Sequence, residues 1–248
     1  MLSNASLDIA FHDRIKKDPN YIHKFWVGLM DGNGSIQINH WRYKNLQYRL
    51  VIKLKYCPEN LSMLNLIAYH IGGKIKIIGD KKFVIWFVNN RKQILKILKI
   101  FIKYPPLTTR LRAQLNFMLD CFEQGNVVWY LNARNKKYLN IKVETQNIEN
   151  NYFNEWLSGF IEAKACFSIR LTTKNHSFSI ELNDDKYILE KIKSQFNIKN
   201  QIRKIDDRLW NIEIYHKLTL INIINHCIQY PLFGEKLLSF TKFRSLFK

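Results

Sequence analysis

The feature that most constrains this chain is an internal duplication. Trp26-Val27-Gly28-Leu29-Met30-Asp31-Gly32-Asn33-Gly34-Ser35 is answered by Leu157-Ser158-Gly159-Phe160-Ile161-Glu162-Ala163-Lys164-Ala165-Cys166. Each segment is followed, after a similar distance, by a matching phrase. Phe101-Ile102-Lys103-Tyr104-Pro105-Pro106-Leu107-Thr108 closes the first half, and Cys227-Ile228-Gln229-Tyr230-Pro231-Leu232-Phe233-Gly234 the second. Gly28 to Tyr104 spans 76 residues and Gly159 to Tyr230 spans 71. A chain built this way folds as two similar units, and its 248 residues suffice for two cores.

The local patterns repeat as well. Each ten-residue segment reads as a helix. Period-two alternation then predicts paired strands at 36–43 and 47–55 in the first half, and at 167–172 and 176–182 in the second. Tyr48, Leu50, Ile52 and Leu54 fall on one face of the second strand, with Gln47, Arg49, Lys53 and Lys55 on the other. Helices are expected at 59–71 and 186–196. Further strand pairs are expected at 74–78 with 83–88 and at 201–205 with 210–215, and closing helices at 92–102 and 218–228. The order is αββαββα, twice. This predicts an α+β fold with domains at 1–125 and 154–248, joined by a linker at 126–153 that is rich in Asn, Lys and Glu. Each antiparallel sheet has one face covered by helices and one face free to be polar.

Gly28 and Gly32 are four residues apart, as are Gly159 and Ala163, so each pair lies on one helix face, one turn apart. Small residues there let two helices approach closely. The plainer reading is a C-capping glycine, but the same spacing in both copies favours packing, with the two helices as the central interface between the halves.

The two segments resemble the LAGLIDADG motif of homing endonucleases and group I intron maturases, and the resemblance covers almost the whole chain. It implies two αββαββα domains packed through their motif helices, with the sheets forming a basic saddle. It also implies a divalent-metal nuclease, in which the motif's eighth position carries a metal-binding Asp or Glu on each helix. Here those positions are Asn33 and Lys164. Two carboxylates would give −2; Asn33 and Lys164 sum to about +1, and a positive site repels a metal ion. Asp31 and Glu162 remain, but they match the sixth position, which supports the helix end in that family. No catalytic residue, metal or cofactor is therefore expected, with Mg2+ needed only if the chain still cuts.

The balance of 39 Lys+Arg against 20 Asp+Glu gives +19 and points to a polyanionic partner, nucleic acid first. No apolar run reaches the roughly 18 residues of a membrane span. The open strand faces are the expected nucleic-acid contacts: Gln37, Asn39, Trp41, Tyr43, Gln47, Arg49, Lys53, Lys55, Lys74 and Lys76 in the first half. In the second they are Ser168, Arg170, Thr172, Lys174, Gln201 and Arg203. Gln, Asn and Arg can read base edges, Lys and Arg bind phosphates, and Trp41 or Tyr43 can stack on an unpaired base. Arg110 and Lys236 follow the two closing phrases, where the resemblance places a basic residue near the scissile phosphates. A second basic surface is expected from Arg134, Lys136, Lys137 and Lys142, with Tyr138 among them, and from Lys242, Arg244 and Lys248.

Cys57, Cys121, Cys166 and Cys227 show no metal-binding spacing and read as buried thiols in a reducing compartment. The abundance of Lys, Asn, Ile, Tyr and Phe, which have A/T-rich codons, suggests an organelle-encoded protein, mitochondrial before chloroplast. The expected function is non-catalytic binding of structured RNA, as an intron maturase or an rRNA-binding component of an organellar ribosome. The alternative is a metal-dependent, intron-encoded endonuclease acting at one DNA site. The duplicated halves predict a monomer.

Overall fold

The structure, a computed structural model, describes residues 18, 20–139, 151–170 and 175–247. The first motif segment forms helix α1 (Tyr21–Asn33) and the second forms α6 (Phe153–Lys164). Both helices are buried along most of their length, and α6 takes Glu155, Ser158 and Glu162 inside with its apolar residues. In α1, Phe25, Trp26, Val27, Leu29 and Met30 are fully buried.

Two compact units divide the chain: Asn33–Glu144, and Met1–Gly32 together with Thr145–Lys248. In this partition α1 belongs with α6, against which it packs.

The Asn33–Glu144 unit holds β1 (Gly34–Trp41), β2 (Asn45–Lys55), α2 (Pro58–Ile71), β3 (Lys74–Ile78), β4 (Phe83–Val88) and α3 (Arg91–Lys103). The sheet is antiparallel in the order β1-β2-β4-β3. Alternation along β2 is as expected: Tyr48, Leu50 and Ile52 are buried, while Gln47, Lys53 and Lys55 are exposed. β1 ends two residues earlier than expected. Arg42 and Tyr43 take left-handed backbone angles (φ 49° and 57°) and form the turn into β2, closed by Lys44 N–H donating to the Trp41 carbonyl (2.9 Å).

Two further helices lie beyond the first closing phrase, where the expected order stops. α4 (Thr109–Gln124) starts at Thr108, whose Oγ1 accepts from the Leu111 N–H, and ends at a left-handed Gly125. α4 covers the buried sheet face. The Tyr48 hydroxyl donates to the Cys121 carbonyl (3.0 Å), the Tyr48 ring stacks on Phe122 at 4.1 Å, and Gln114 Oε1 accepts from the Ile36 N–H (2.9 Å). α5 (Val127–Ala133) occupies the start of the expected linker. It is anchored by Tyr130, which is buried and donates to the Ile38 carbonyl (3.0 Å).

The second unit repeats the plan with β5 (Ala165–Arg170), β6 (Asn175–Asn183), α7 (Lys186–Gln195), β7 (Arg203–Lys204), β8 (Leu209–Ile214), α8 (Lys217–Gln229) and α9 (Glu235–Leu246). Its sheet order is β5-β6-β8-β7. β7 is shorter than the expected 201–205: only Arg203 and Lys204 pair with β8, and the Ile205 N–H closes the following turn by donating to the Leu209 carbonyl (2.8 Å). Phe167 on β5 packs against Phe240 and Phe243 of α9, which the repeat did not announce.

Cys121 and Cys227 are buried as expected, and burial lifts the Cys121 thiol to about 11. Cys57 is half-buried and caps α2 by accepting from the Asn60 N–H, whereas Cys166 is exposed, correcting the expectation that all four are buried. Among the described residues, no helix is long and apolar enough to cross a membrane.

Candidate nucleic-acid interface

α1 and α6 cross at their small residues. A Cβ on Gly28 would lie 1.9 Å from the Trp156 carbonyl oxygen, and one on Gly159 would lie 1.9 Å from that of Phe25. A Cβ on Gly32 would meet that of Ala163 at 2.1 Å. Gly28 and Gly159 are interior to their helices, so close packing, not C-capping, explains them.

This contact organises the two sixth-position acids. The Trp156 indole N–H donates to Asp31 Oδ2 (2.7 Å), tying the helices together. Glu162 reaches the start of α9. Its Oε1 accepts from the Lys236 N–H (2.9 Å), and its Oε2 accepts from Gly234 (3.1 Å) and Phe233 (3.3 Å). Gly234 has no side chain to cap α9, so Glu162 supplies the cap from 72 residues away, at the positive end of the helix dipole. Burial pushes the Glu162 carboxyl up, against the three N–H donors and the Lys236 charge, which pull it down. Glu162→Ala is expected to cost about 2 kcal/mol by leaving those donors unpaired, measurable as a lower urea midpoint.

Both sixth-position acids are thus engaged in structure. The eighth positions, Asn33 and Lys164, are exposed and offer no carboxylate. Among the described residues, no group of three His, Cys, Asp or Glu side chains could hold a metal ion. The motif residues of this chain do not fit the divalent-metal site that the family resemblance implies.

The open sheet face of the Asn33–Glu144 unit brings most of its expected contacts together. Register sets Gln37 opposite Arg49 and Asn39 opposite Gln47, with Trp41 at the end of β1. Lys53 and Lys55 continue along β2, and Lys74 and Lys76 stand on β3. Trp41 and Tyr43 are 55% and 71% exposed, although Tyr43 sits in the turn, where its ring stacks on His40 (4.4 Å). Arg110 is placed differently from the strand residues: its guanidinium donates to the Gly34 carbonyl (2.8 Å) at the start of β1.

In the second unit, Ser168 and Arg170 are exposed on β5, Arg203 is on β7, and Gln201 is exposed just before it. Lys236 is half-buried in the first turn of α9. Thr172 and Lys174 lie outside the described residues, as do Lys142 and Lys248 of the second basic surface. Within that surface, Tyr138 accepts from the Gln114 amide (2.9 Å), and the Lys137 ammonium lies 5.1 Å from the Tyr138 ring centre.

Four residues of these open faces escaped sequence reasoning. Phe83 and Phe87 belong to a strand apolar on both faces, so alternation could not orient it. Only pairing with β2 does, setting Lys55 opposite Phe83 and Val51 opposite Phe87. Glu181 and Glu213 are the others, set by register opposite Asn211 and Ser179. Their alternation with apolar residues was the available signal.

Comparison with known proteins agrees with this architecture. The family model described as LAGLIDADG endonuclease matches residues 26–119 and 157–247, one copy per half. The chain is 45% identical over 241 residues to the "Probable intron-encoded endonuclease aI3" of Dictyostelium citrinum, covering 95% of this chain and 99% of that one. It is 41% identical over 229 residues to the protein of the same name in Dictyostelium discoideum, covering 92% and 98%. The solved LAGLIDADG homing endonuclease I-GzeII, in complex with its DNA target, shares the fold with a TM-score of 0.73 at 18% identity, covering 90% of this chain and 88% of that one. Duplicated motif helices joined through glycines, a four-stranded sheet after each, and a family match over both halves place this chain in the LAGLIDADG endonuclease family.

Proposed function

We propose that this chain is an intron-encoded, site-specific DNA-binding protein of the homing endonuclease type, which holds its target without metal-dependent cutting. The observation that carries the reading is the state of the motif. Its packing positions and sixth-position acids are retained, while Asn33 and Lys164 replace both eighth-position acids. DNA as the target is supported by relatives named as probable intron-encoded endonucleases and by structural neighbours solved with DNA. This moves the weight away from the RNA target expected from the sequence alone. The abundance of residues with A/T-rich codons and the intron-encoded relatives support a mitochondrial origin.

A second reading keeps RNA as the partner, as maturase or ribosomal component. It is favoured by exposed Trp41 and Tyr43, which suit stacking on unpaired bases. Crosslinking in the native organelle, followed by sequencing of the recovered nucleic acid, separates the two. One DNA site at the host gene is the expected result. Intron RNA or ribosomal RNA in its place would overturn the DNA assignment in favour of the second reading.

A further inference from the structure

The two sheets share a topology but not the chemistry of their open faces. On the β1–β4 sheet, Arg49, Lys53, Lys55, Lys74 and Lys76 share the open face with no carboxylate among the strand residues. They surround two aromatic rings. The Lys53 ammonium sits 4.0 Å from the Phe83 ring centre and the Arg49 guanidinium 5.1 Å from that of Phe87. Arg49 Nε is buried and meets no hydrogen-bond acceptor among the described residues. On the β5–β8 sheet, Arg170 and Arg203 are matched by Glu181 and Glu213 among the described strand residues. Arg203 is paired to Glu213 at 2.9 Å, and Glu181 accepts from the Asn211 amide at 3.2 Å. The strand charges are therefore five positive on one face and a balance of two against two on the other.

Resting on the nucleic-acid-binding reading above, we propose that the two sheets bind unequally. The sheet of the Asn33–Glu144 unit supplies most of the affinity, by phosphate neutralisation and by base or sugar contact with Phe83 and Phe87. The other sheet supplies discrimination. Lys53 and Arg49 are held over aromatic rings in the free protein and can move to phosphates when a strand arrives, uncovering the rings. Glu181 and Glu213 repel phosphates and can only accept hydrogen bonds. They therefore admit a base presenting an amino group, such as cytosine N4, and disfavour carbonyl edges. The carboxylates lower affinity and raise selectivity.

The test uses the full chain, a mixed-sequence DNA duplex of about 30 base pairs, and affinity measured against salt. Lys53→Gln with Lys74→Gln is expected to weaken binding by about 20-fold and to flatten the salt slope by nearly two. Arg170→Gln with Arg203→Gln removes the same charge and is expected to cost less than about 3-fold. Glu181→Gln with Glu213→Gln is expected to tighten binding to this duplex several-fold. All six positions lie on the open strand faces, and unchanged circular dichroism verifies folding. Equal losses from the two cation pairs, or weaker binding after removal of the carboxylates, would overturn the proposal while leaving the binding reading intact. No binding by the wild-type protein to this duplex or to organellar RNA would overturn both.

Discussion

Replacing Gly28 or Gly159 with alanine is expected to lower stability by about 4 kcal/mol or more, beyond the usual overpacking cost of a core methyl group. On each helix the added Cβ would lie 1.9 Å from a backbone carbonyl oxygen of the other. Backbone cannot swing aside as a side chain does. Because real Cβ contacts lie at 3.0 Å or beyond, α1 and α6 would have to separate by more than 1 Å. That separation loosens Phe25, Trp26, Leu29 and Phe160, all fully buried, and stretches the Trp156–Asp31 hydrogen bond. Helix propensity alone would make glycine to alanine stabilising by about 1 kcal/mol, so the two accounts differ in sign. Thermal melts should show a fall of roughly 8 to 16 °C. A rise would mean that the helices do not meet at these glycines.

Acid is expected to destabilise the second unit through His226, earlier than carboxylate titration alone would. His226 is buried in α8, its ring stacked 5.0 Å from Tyr230 and edge-on to Phe196 at 5.4 Å. The Ser158 hydroxyl donates its single proton to the Tyr230 carbonyl (2.8 Å). Its contact with His226 Nε2 (3.2 Å) therefore has the imidazole as donor. Burial holds the imidazole neutral and pushes its pKa down to about 3, from an ordinary 6.5. The unfolded chain takes up the proton first as the pH falls. The stabilising effect of neutral His226 is thus fully present above pH 6.5 and is lost as the pH drops toward 3. By about pH 4 the loss is roughly 3 kcal/mol. Urea titrations at about pH 7 and pH 4 should show this loss in the wild type, and a clearly smaller one in His226→Gln. Equal losses in both proteins would place the acid sensitivity elsewhere.

Much of this fold was legible in the sequence because duplication and alternation act locally. The repeated glycine spacing announced the helix crossing. The polar–apolar alternation of Gln47 to Lys55 announced which face of β2 is open. What lay outside that reading depended on tertiary pairing. The run Phe83-Val84-Ile85-Trp86-Phe87-Val88 is apolar at every position, so only its register with β2 shows which aromatic rings face outward. Helices α4, α5 and α9 lie past the closing phrases, where the repeat no longer guides the eye. Arg42 and Tyr43 carry no glycine or asparagine to mark a left-handed turn, so β1 was expected to run through them. In the candidate site, the replaced eighth positions were plain from the sequence. The engagement of Glu162 by the start of α9 spans 72 residues and required the folded chain.

The most direct measurement incubates the wild-type protein with duplex DNA carrying the intronless junction of its host gene, in magnesium, and follows retention and strand integrity in one sample. Retention of that duplex in preference to a scrambled one, with both strands intact, is the predicted result. Cut strands whose formation is abolished by Asn33→Ala would show that this motif still works a metal, and would contradict the account.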